Sequence, residues 1–337
     1  MKKRICMIYT GGTIGMVQSE NGYIPSSQSF WNTLNEIPDL HYPGIPEWEV
    51  VEFSPLLDSS NISVAEWNKI GRAIRDRYED FDGFVILHGT DTMAYSASAL
   101  SFMLENLNKP VVFTGAQIPL CQLRSDGREN IVSSMVIAAS GQVREVCIYF
   151  NGELLRGNRA TKRSSDQFGA FESPNYPALA HAGISIQYHE SALLQPKGGP
   201  FHLQQLQDLP IGVIKVFPGI QFELFESIMT NRLKGVVLET FGAGNIPSAT
   251  QNSLLPIIEK AYRSGTIITV CSQCLQGAVS LGAYATSKAL HDIGAVNGQD
   301  MTTEAALTKL YYLFILGLDK HAVKEKMAQN LCGELGE

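Results

Sequence analysis

Ile8-Tyr9-Thr10-Gly11-Gly12-Thr13-Ile14-Gly15 and Ile86-Leu87-His88-Gly89-Thr90-Asp91-Thr92 are the two stretches that decide the fold. In each, an apolar β-type run (Ile5 to Tyr9; Gly83 to His88) stops at glycine, and a hydroxyl residue follows just past it. Glycine permits close backbone approach and exposes N–H groups, while a strand end holds the hydroxyl in place. A threonine so placed is a candidate nucleophile. A free hydroxyl is hardly ionised at neutral pH, however, so it needs a base or a cation beside it. Asp91 in the second turn offers a carboxylate, and Lys162 in Arg159-Ala160-Thr161-Lys162 offers an amine.

Outward from these turns, short β-branched or aromatic runs recur: Ile5–Tyr9, Val50–Phe53, Gly83–His88, Val111–Thr114 and Val146–Phe150. They lack strict polar alternation, as strands do when both sheet faces are covered. Helices are expected between them, from Ser63 to Tyr78, from about Thr92 to Asn106 and from Gly127 to Ala139. The first opens on Ser63 with Glu66 three residues later, the spacing of a capping box. The expected class is α/β: a larger N-terminal domain with a mostly parallel, doubly wound sheet. Ligands of such sheets bind at the carboxyl ends of the strands, where the threonine turns fall.

Around Gln195-Pro196-Lys197-Gly198-Gly199-Pro200 the composition turns to proline, glycine and polar residues, which marks an interdomain connection. A second strand series follows at Gly212–Phe217, Gly235–Glu239 and Ile267–Cys271. Helices are expected near Phe222–Met229, Ala249–Tyr262, Thr303–Leu316 and Lys320–Gln329. The expected division is therefore residues 1–190 for the domain carrying the threonines, 191–210 for a linker, and 211–337 for a smaller Rossmann-like α/β domain. A length of 337 residues agrees with two cores.

Composition narrows the function classes. With 45% apolar and 18% charged residues, the chain is that of an ordinary globular enzyme. A net charge of −7 argues against nucleic acid as the main partner, because phosphate binding calls for a concentrated excess of Lys and Arg. Met1-Lys2-Lys3-Arg4 resembles the start of a secretory signal, but the apolar run after it is only about six residues, too short for an h-region. No run approaches the ~18 apolar residues of a membrane span, so a soluble, cytoplasmic protein is expected. The six cysteines are too few for a disulfide framework in so long a chain. Cys271-Ser272-Gln273-Cys274 is a C-x-x-C, but it has no second pair or nearby His-x-x-His and follows a buried-strand pattern; it reads as two thiols at a strand end rather than a redox or metal site.

An ordered set of motifs carries a more specific signal: Thr10-Gly11-Gly12-Thr13-Ile14-Gly15-Met16 with Gly22-Tyr23-Ile24-Pro25, Leu57-Asp58-Ser59-Ser60, and Asp82 through Tyr95. It continues with Thr114-Gly115-Ala116-Gln117-Ile118-Pro119, Leu123-Arg124-Ser125-Asp126-Gly127, Arg156-Gly157-Asn158-Arg159 through Lys162, and Tyr284-Ala285-Thr286. Together they resemble the bacterial-type L-asparaginases, in particular the type I, cytoplasmic branch, over nearly the whole chain.

The resemblance implies that Thr13 attacks the side-chain amide of L-asparagine, releasing ammonia and leaving a β-aspartyl ester for water to hydrolyse. It assigns Tyr23, on a mobile lid, as the partner of Thr13, and Thr90, Asp91 and Lys162 as a second triad. Backbone N–H groups near Gly12 and Thr90 are the expected oxyanion donors. It gives Asp58, Ser59, Ser60, Thr90, Asp91 and Ala116 to substrate binding, with hydroxyls on the α-carboxylate and carboxylates on the α-ammonium. No metal or organic cofactor is implied. Homodimers or homotetramers, as dimers of dimers, are.

Some type I enzymes carry a second, regulatory asparagine site, which here would involve Thr161, Glu239, Asn245 and Cys274. Glu239 stands where an allosteric relative carries a basic residue, and its carboxylate would repel the effector's own. Asn245 resembles a position that approaches the active site from a neighbouring subunit. The Gly242-Ala243-Gly244 spacing is only a fragment of a dinucleotide fingerprint. His88 reads as a satisfied structural histidine. The competing functions are a glutaminase-asparaginase, the ammonia-supplying subunit of a tRNA-dependent amidotransferase, and a non-catalytic amino-acid sensor.

Overall fold

The computed structural model describes residues 2–20, 22–196, 198–247, 254–282 and 285–336. Tyr284 of the last motif and residues 249–253 of an expected helix lie outside the described residues. The chain forms two compact units, Met1–Gln205 and Leu206–Glu337.

The first unit is built on eight strands in the spatial order Ile186–Tyr188, Ala180–Ala182, Glu153–Arg156, Val146–Phe150, Val111–Thr114, Gly83–Leu87, Arg4–Gly11 and Glu47–Leu57. The last five run parallel to one another. The first three form an antiparallel extension on Val146–Phe150. Every residue of Gly83–Leu87, Val111–Thr114 and Val146–Phe150 is buried, which is why these strands read as unbroken apolar runs. Met7, Tyr9, Val85, Leu87, Val112 and Tyr149 face one core with Phe30 and Leu34 of the helix Ser27–Asn35 and Ile131 and Met135 of the helix Gly127–Ala139. Phe84 and Phe113 point the other way, against the rings of Tyr78 and His88. On that side the helix Met93–Met103 packs on the sheet.

Local signals account for the helix ends. Ser63 accepts from the Ala65 N–H at 3.2 Å while its own N–H donates to Glu66 at 3.0 Å, so the capping box forms as expected. The helix it opens, Val64–Arg75, ends before Tyr78. The helix after the second turn stops at Met103, because Leu104–Glu105 pairs with His202–Leu203.

In the second unit four parallel strands lie in the order Ile211–Lys215, Gly235–Thr240, Ile267–Ser272 and Val296–Asn297. Successive residues face opposite layers. Val236, Leu238, Ile268 and Val270 pack with Met229, Leu254, Ile258 and Leu290; Val237, Ile267 and Cys271 pack with Ala306, Leu310, Leu313 and Val323. Both faces are thus covered, which makes this unit doubly wound. Among the described residues, no helix is long and apolar enough to cross a membrane.

Candidate active site

Three chain turns meet at the carboxyl ends of adjacent parallel strands in the first unit. After Arg4–Gly11 the backbone passes through Gly11 at φ 123° and Gly12 at φ 86°, left-handed values that glycine alone adopts without strain. The closeness of the neighbours also requires glycine. A Cβ on Gly11 would sit 2.2 Å from the Leu57 carbonyl oxygen, and one on Gly12 would sit 2.4 Å from the Gly89 nitrogen. A Cβ on Gly89 would in turn lie 2.5 Å from Ser59 Oγ. The segments 11–13, 57–60 and 88–91 are therefore held together through positions that bear no side chain.

Thr13 opens a single 3-10 turn, Thr13–Gly15, and is half-buried. Gly12 donates its N–H to the Leu57 carbonyl at 3.0 Å, so that amide is spent. Past it, the N–H groups of Thr13 and Ile14 have no acceptor among the described residues. The same holds for the N–H of Thr90. Unspent backbone donors thus lie near Gly12 and Thr90, those of Thr13 and Thr90 among them.

Thr90 retains 6% of its surface exposed, and its hydroxyl sits in a directed set of bonds. Lys162 Nζ donates to Thr90 Oγ1 at 2.8 Å and to Asp91 Oδ1 at 2.6 Å. Thr90 in turn donates to Gln117 Oε1 at 3.2 Å. An ammonium aimed at a hydroxyl oxygen stabilises whatever negative charge that oxygen acquires. Asp91 is 68% exposed and Lys162 only 17%, so the carboxylate stays open to a ligand while the amine is shielded.

Gln117 received no role from the sequence, where a lone amide after a small residue carries no signal. Its Nε2 donates to the Gln167 carbonyl, which turns its oxygen toward Thr90. Its own N–H and that of Ile118 donate to the Asp126 carboxylate. Ala116, immediately before it, is buried beside Gly127, whose Cβ would lie 3.2 Å from that of Ala116.

In the 57–60 segment Asp58 is exposed, and its Oδ1 accepts from both the N–H and the hydroxyl of Ser60 at 2.9 Å. Ser59 is buried, with its carbonyl accepting from Thr92 Oγ1 at 2.8 Å. Tyr23 lies on the hairpin of Met16–Ser19 and Gly22–Pro25, opposite Gln18, on a strand that touches the Thr13–Gly15 turn; it is 49% exposed and forms no hydrogen bond with Thr13.

The residues of the expected second site are distributed over both units. Thr161 pairs with Glu172 in the first. In the second, Glu239 accepts from Thr303 Oγ1 at 2.6 Å and lies 3.9 Å from Lys215 Nζ, and Asn245 forms a backbone bridge with Phe241. Cys274 is exposed, whereas Cys271 is buried at its strand end, where burial pushes the thiol up to about 12. Among the described residues no group of His, Cys, Asp and Glu is arranged to hold a metal ion.

A strand-end threonine beside unspent backbone amides, next to a threonine–lysine–carboxylate cluster, is an arrangement suited to acyl transfer. Comparison with known proteins agrees. Residues 4–194 match the family model "Asparaginase, N-terminal" and residues 210–327 match "Glutaminase/Asparaginase C-terminal domain". L-asparaginase 1 of Escherichia coli K12 is 45% identical, over 99% of this chain and 98% of that protein. The crystal structure of L-asparaginase I from Vibrio cholerae superposes with a TM-score of 0.92 at 43% identity, covering all of both chains. The thermostable L-asparaginase from Thermococcus kodakarensis superposes with a TM-score of 0.90 at 30% identity and covers 99% of each chain. With both halves matched, and with relatives alike from end to end, the chain belongs to the asparaginase family.

Proposed function

We propose that this protein hydrolyses L-asparagine to L-aspartate and ammonia, with Thr13 as nucleophile. Thr13 Oγ attacks the side-chain amide carbon, the resulting oxyanion collapses, and ammonia leaves a β-aspartyl ester on Thr13. Water then cleaves the ester and restores the hydroxyl. The N–H groups of Thr13 and Thr90 serve the oxyanion. Thr90, backed by Lys162, orients and activates the water. Asp58 and Asp91 receive the substrate's ammonium; Ser59 and Ser60 receive its carboxylate.

The observation that carries this reading is the Thr90 hydroxyl fixed between Lys162 and Gln117 next to the turn bearing Thr13. Tyr23 enters only when the hairpin closes over substrate, in keeping with its exposure in the free chain. Ammonia release from asparagine and from glutamine by the purified protein is the test. Thr13→Ala should abolish release in a folded protein; retained turnover would move the nucleophile elsewhere. Because one methylene alters selectivity by only ~10- to 200-fold, glutamine is the substrate to compare.

A cytoplasmic homodimer or homotetramer is part of the same proposal, supported by the family resemblance. Regulation through a second asparagine site is disfavoured by Glu239, since its carboxylate is engaged by Thr303 and Lys215 and repels an effector carboxylate. A hyperbolic saturation curve is the expected result; a sigmoidal one would restore the regulatory site.

A further inference from the structure

A chain of three hydrogen bonds lies beneath the second turn and uses none of the groups given a chemical role above. The Trp67 indole N–H donates to Ser96 Oγ at 3.0 Å. Ser96 Oγ lies 2.9 Å from His88 Nε2, and His88 Nδ1 lies 2.7 Å from the Gly89 carbonyl oxygen. The proton directions follow from the ends. An indole nitrogen only donates and a carbonyl only accepts, so Ser96 spends its one hydrogen on Nε2 and the ring carries its proton on Nδ1. Burial pushes the His88 imidazole down to about 4, outweighing the Gly89 bond that raises it, so the ring is neutral at physiological pH.

The carbonyl it holds belongs to the Gly89–Thr90 peptide. In a planar trans peptide, N–H and C=O point to opposite sides. Anchoring the oxygen on His88 therefore turns the Thr90 N–H away from the ring. That N–H has no acceptor among the described residues although Thr90 is almost fully buried. Buried backbone donors are normally paired, so an unspent one marks a place reserved for a ligand atom.

We propose that His88 is a positioning residue: through the Gly89 carbonyl it sets the Gly89–Thr90 peptide plane, so that the Thr90 N–H is aimed in advance at the oxyanion. Ser96 and Trp67 act one step behind by selecting the tautomer. This inference rests on the amidohydrolase reading above.

The test separates donor from filler. His88→Asn sets a side-chain N–H close to the place of Nδ1; His88→Gln sets one farther out; His88→Leu fills space with no donor. With L-asparagine, kcat of the Leu and Gln variants should fall roughly 10- to 100-fold, somewhat less than for removal of an oxyanion donor, with KM little changed. His88→Asn should recover most of kcat. Equal losses in the Asn and Leu variants, or a folded Leu variant with unaltered kcat, would overturn the proposal.

A second measurement needs neither turnover nor a variant. Nitrogen-15 NMR of the ring in the native protein should show the Nδ1–H tautomer, neutral across about pH 5 to 8. An Nε2–H tautomer sinks the positioning role while leaving asparagine hydrolysis intact. Absence of ammonia release from the native protein sinks the hydrolase reading alone.

Discussion

Gly12 and Gly89 lie backbone against backbone: a Cβ on Gly12 would come within 2.4 Å of the Gly89 nitrogen and 2.5 Å of its Cα. The first and second threonine turns reach one another because neither carries a side chain there. Gly12→Ala adds a methyl group at φ 86° against rigid backbone, so the turns must part. With ψ at 175° this positive-φ backbone is essentially glycine's alone and costs about 1–3 kcal/mol for a residue with Cβ, and overpacking adds about 1–3 kcal/mol. Displacement of reacting groups by about 1 Å can cost ~100-fold in rate. The expected outcome is a folded, less thermostable protein whose kcat/KM for asparagine is down by at least that factor. Steady-state kinetics with a melting curve checks it; wild-type kcat/KM would mean that the turns need not touch.

Lys162 and Thr90 should behave as one device. Lys162→Met removes the donor to both Thr90 and Asp91, and Thr90→Val removes the hydroxyl it serves. Each should lower kcat by roughly 100-fold or more, and the double variant should be little worse than the poorer single one, since groups acting as a unit are non-additive. Multiplicative losses in the double-variant cycle would show that the 2.8 Å bond has no part in turnover.

What was legible in the sequence depended on periodicity and on glycine. The buried parallel strands showed as continuous apolar runs, and the second unit followed the same rule. The strands Glu153–Arg156, Ala180–Ala182 and Ile186–Tyr188 did not show, because they are short and each places a polar residue outward, Glu153, His181 and Gln187. At the site, Thr90, Asp91 and Lys162 came from the motif pattern, and the geometry joins them. Gln117 escaped because its contact with Thr90 depends on the bond from its Nε2 to the Gln167 carbonyl, which is distant in sequence. The use of the Gly12 N–H by Leu57 was equally hidden, since it depends on how the two strand ends register.

In the second unit, Lys309 and Glu334 form an ion pair at 2.6 Å with both side chains fully buried. Burial by itself raises the Glu334 carboxyl, but the Lys309 charge and hydrogen bond, with the N–H groups of Cys332 and Leu331, outweigh it and hold it below its usual value. Its folded value lies below its unfolded one, so its contribution is full above the unfolded carboxylate pKa and is lost as pH falls through the folded value. Glu334→Gln keeps the shape and removes the counter-charge of the Lys309 ammonium, which retains its bonds to the Met327 and Gln329 carbonyls, at a cost of about 3 kcal/mol. Denaturant titration at neutral pH should show that loss, and the gap from wild type should narrow on acidification. A gap that does not change with pH would show that the pair is not ionised as drawn.

His88 gives a linkage of the same sign, in a higher pH window. Its folded pKa of about 4 lies below the ~6.5 of an unfolded histidine. Between these values the unfolded chain binds more protons, so stability rises with pH across this window and falls as the solution is acidified from about 6.5 toward 4. At about 1.4 kcal/mol per unit, the full window amounts to about 3 kcal/mol from this one ring. His88→Asn has no titrating group, so its stability profile should be flatter than wild type by about that amount between pH 6.5 and 4. Parallel profiles for the two proteins would mean that the ring takes up its proton without leaving the fold, and the carbonyl of Gly89 would then be held by something other than a neutral imidazole.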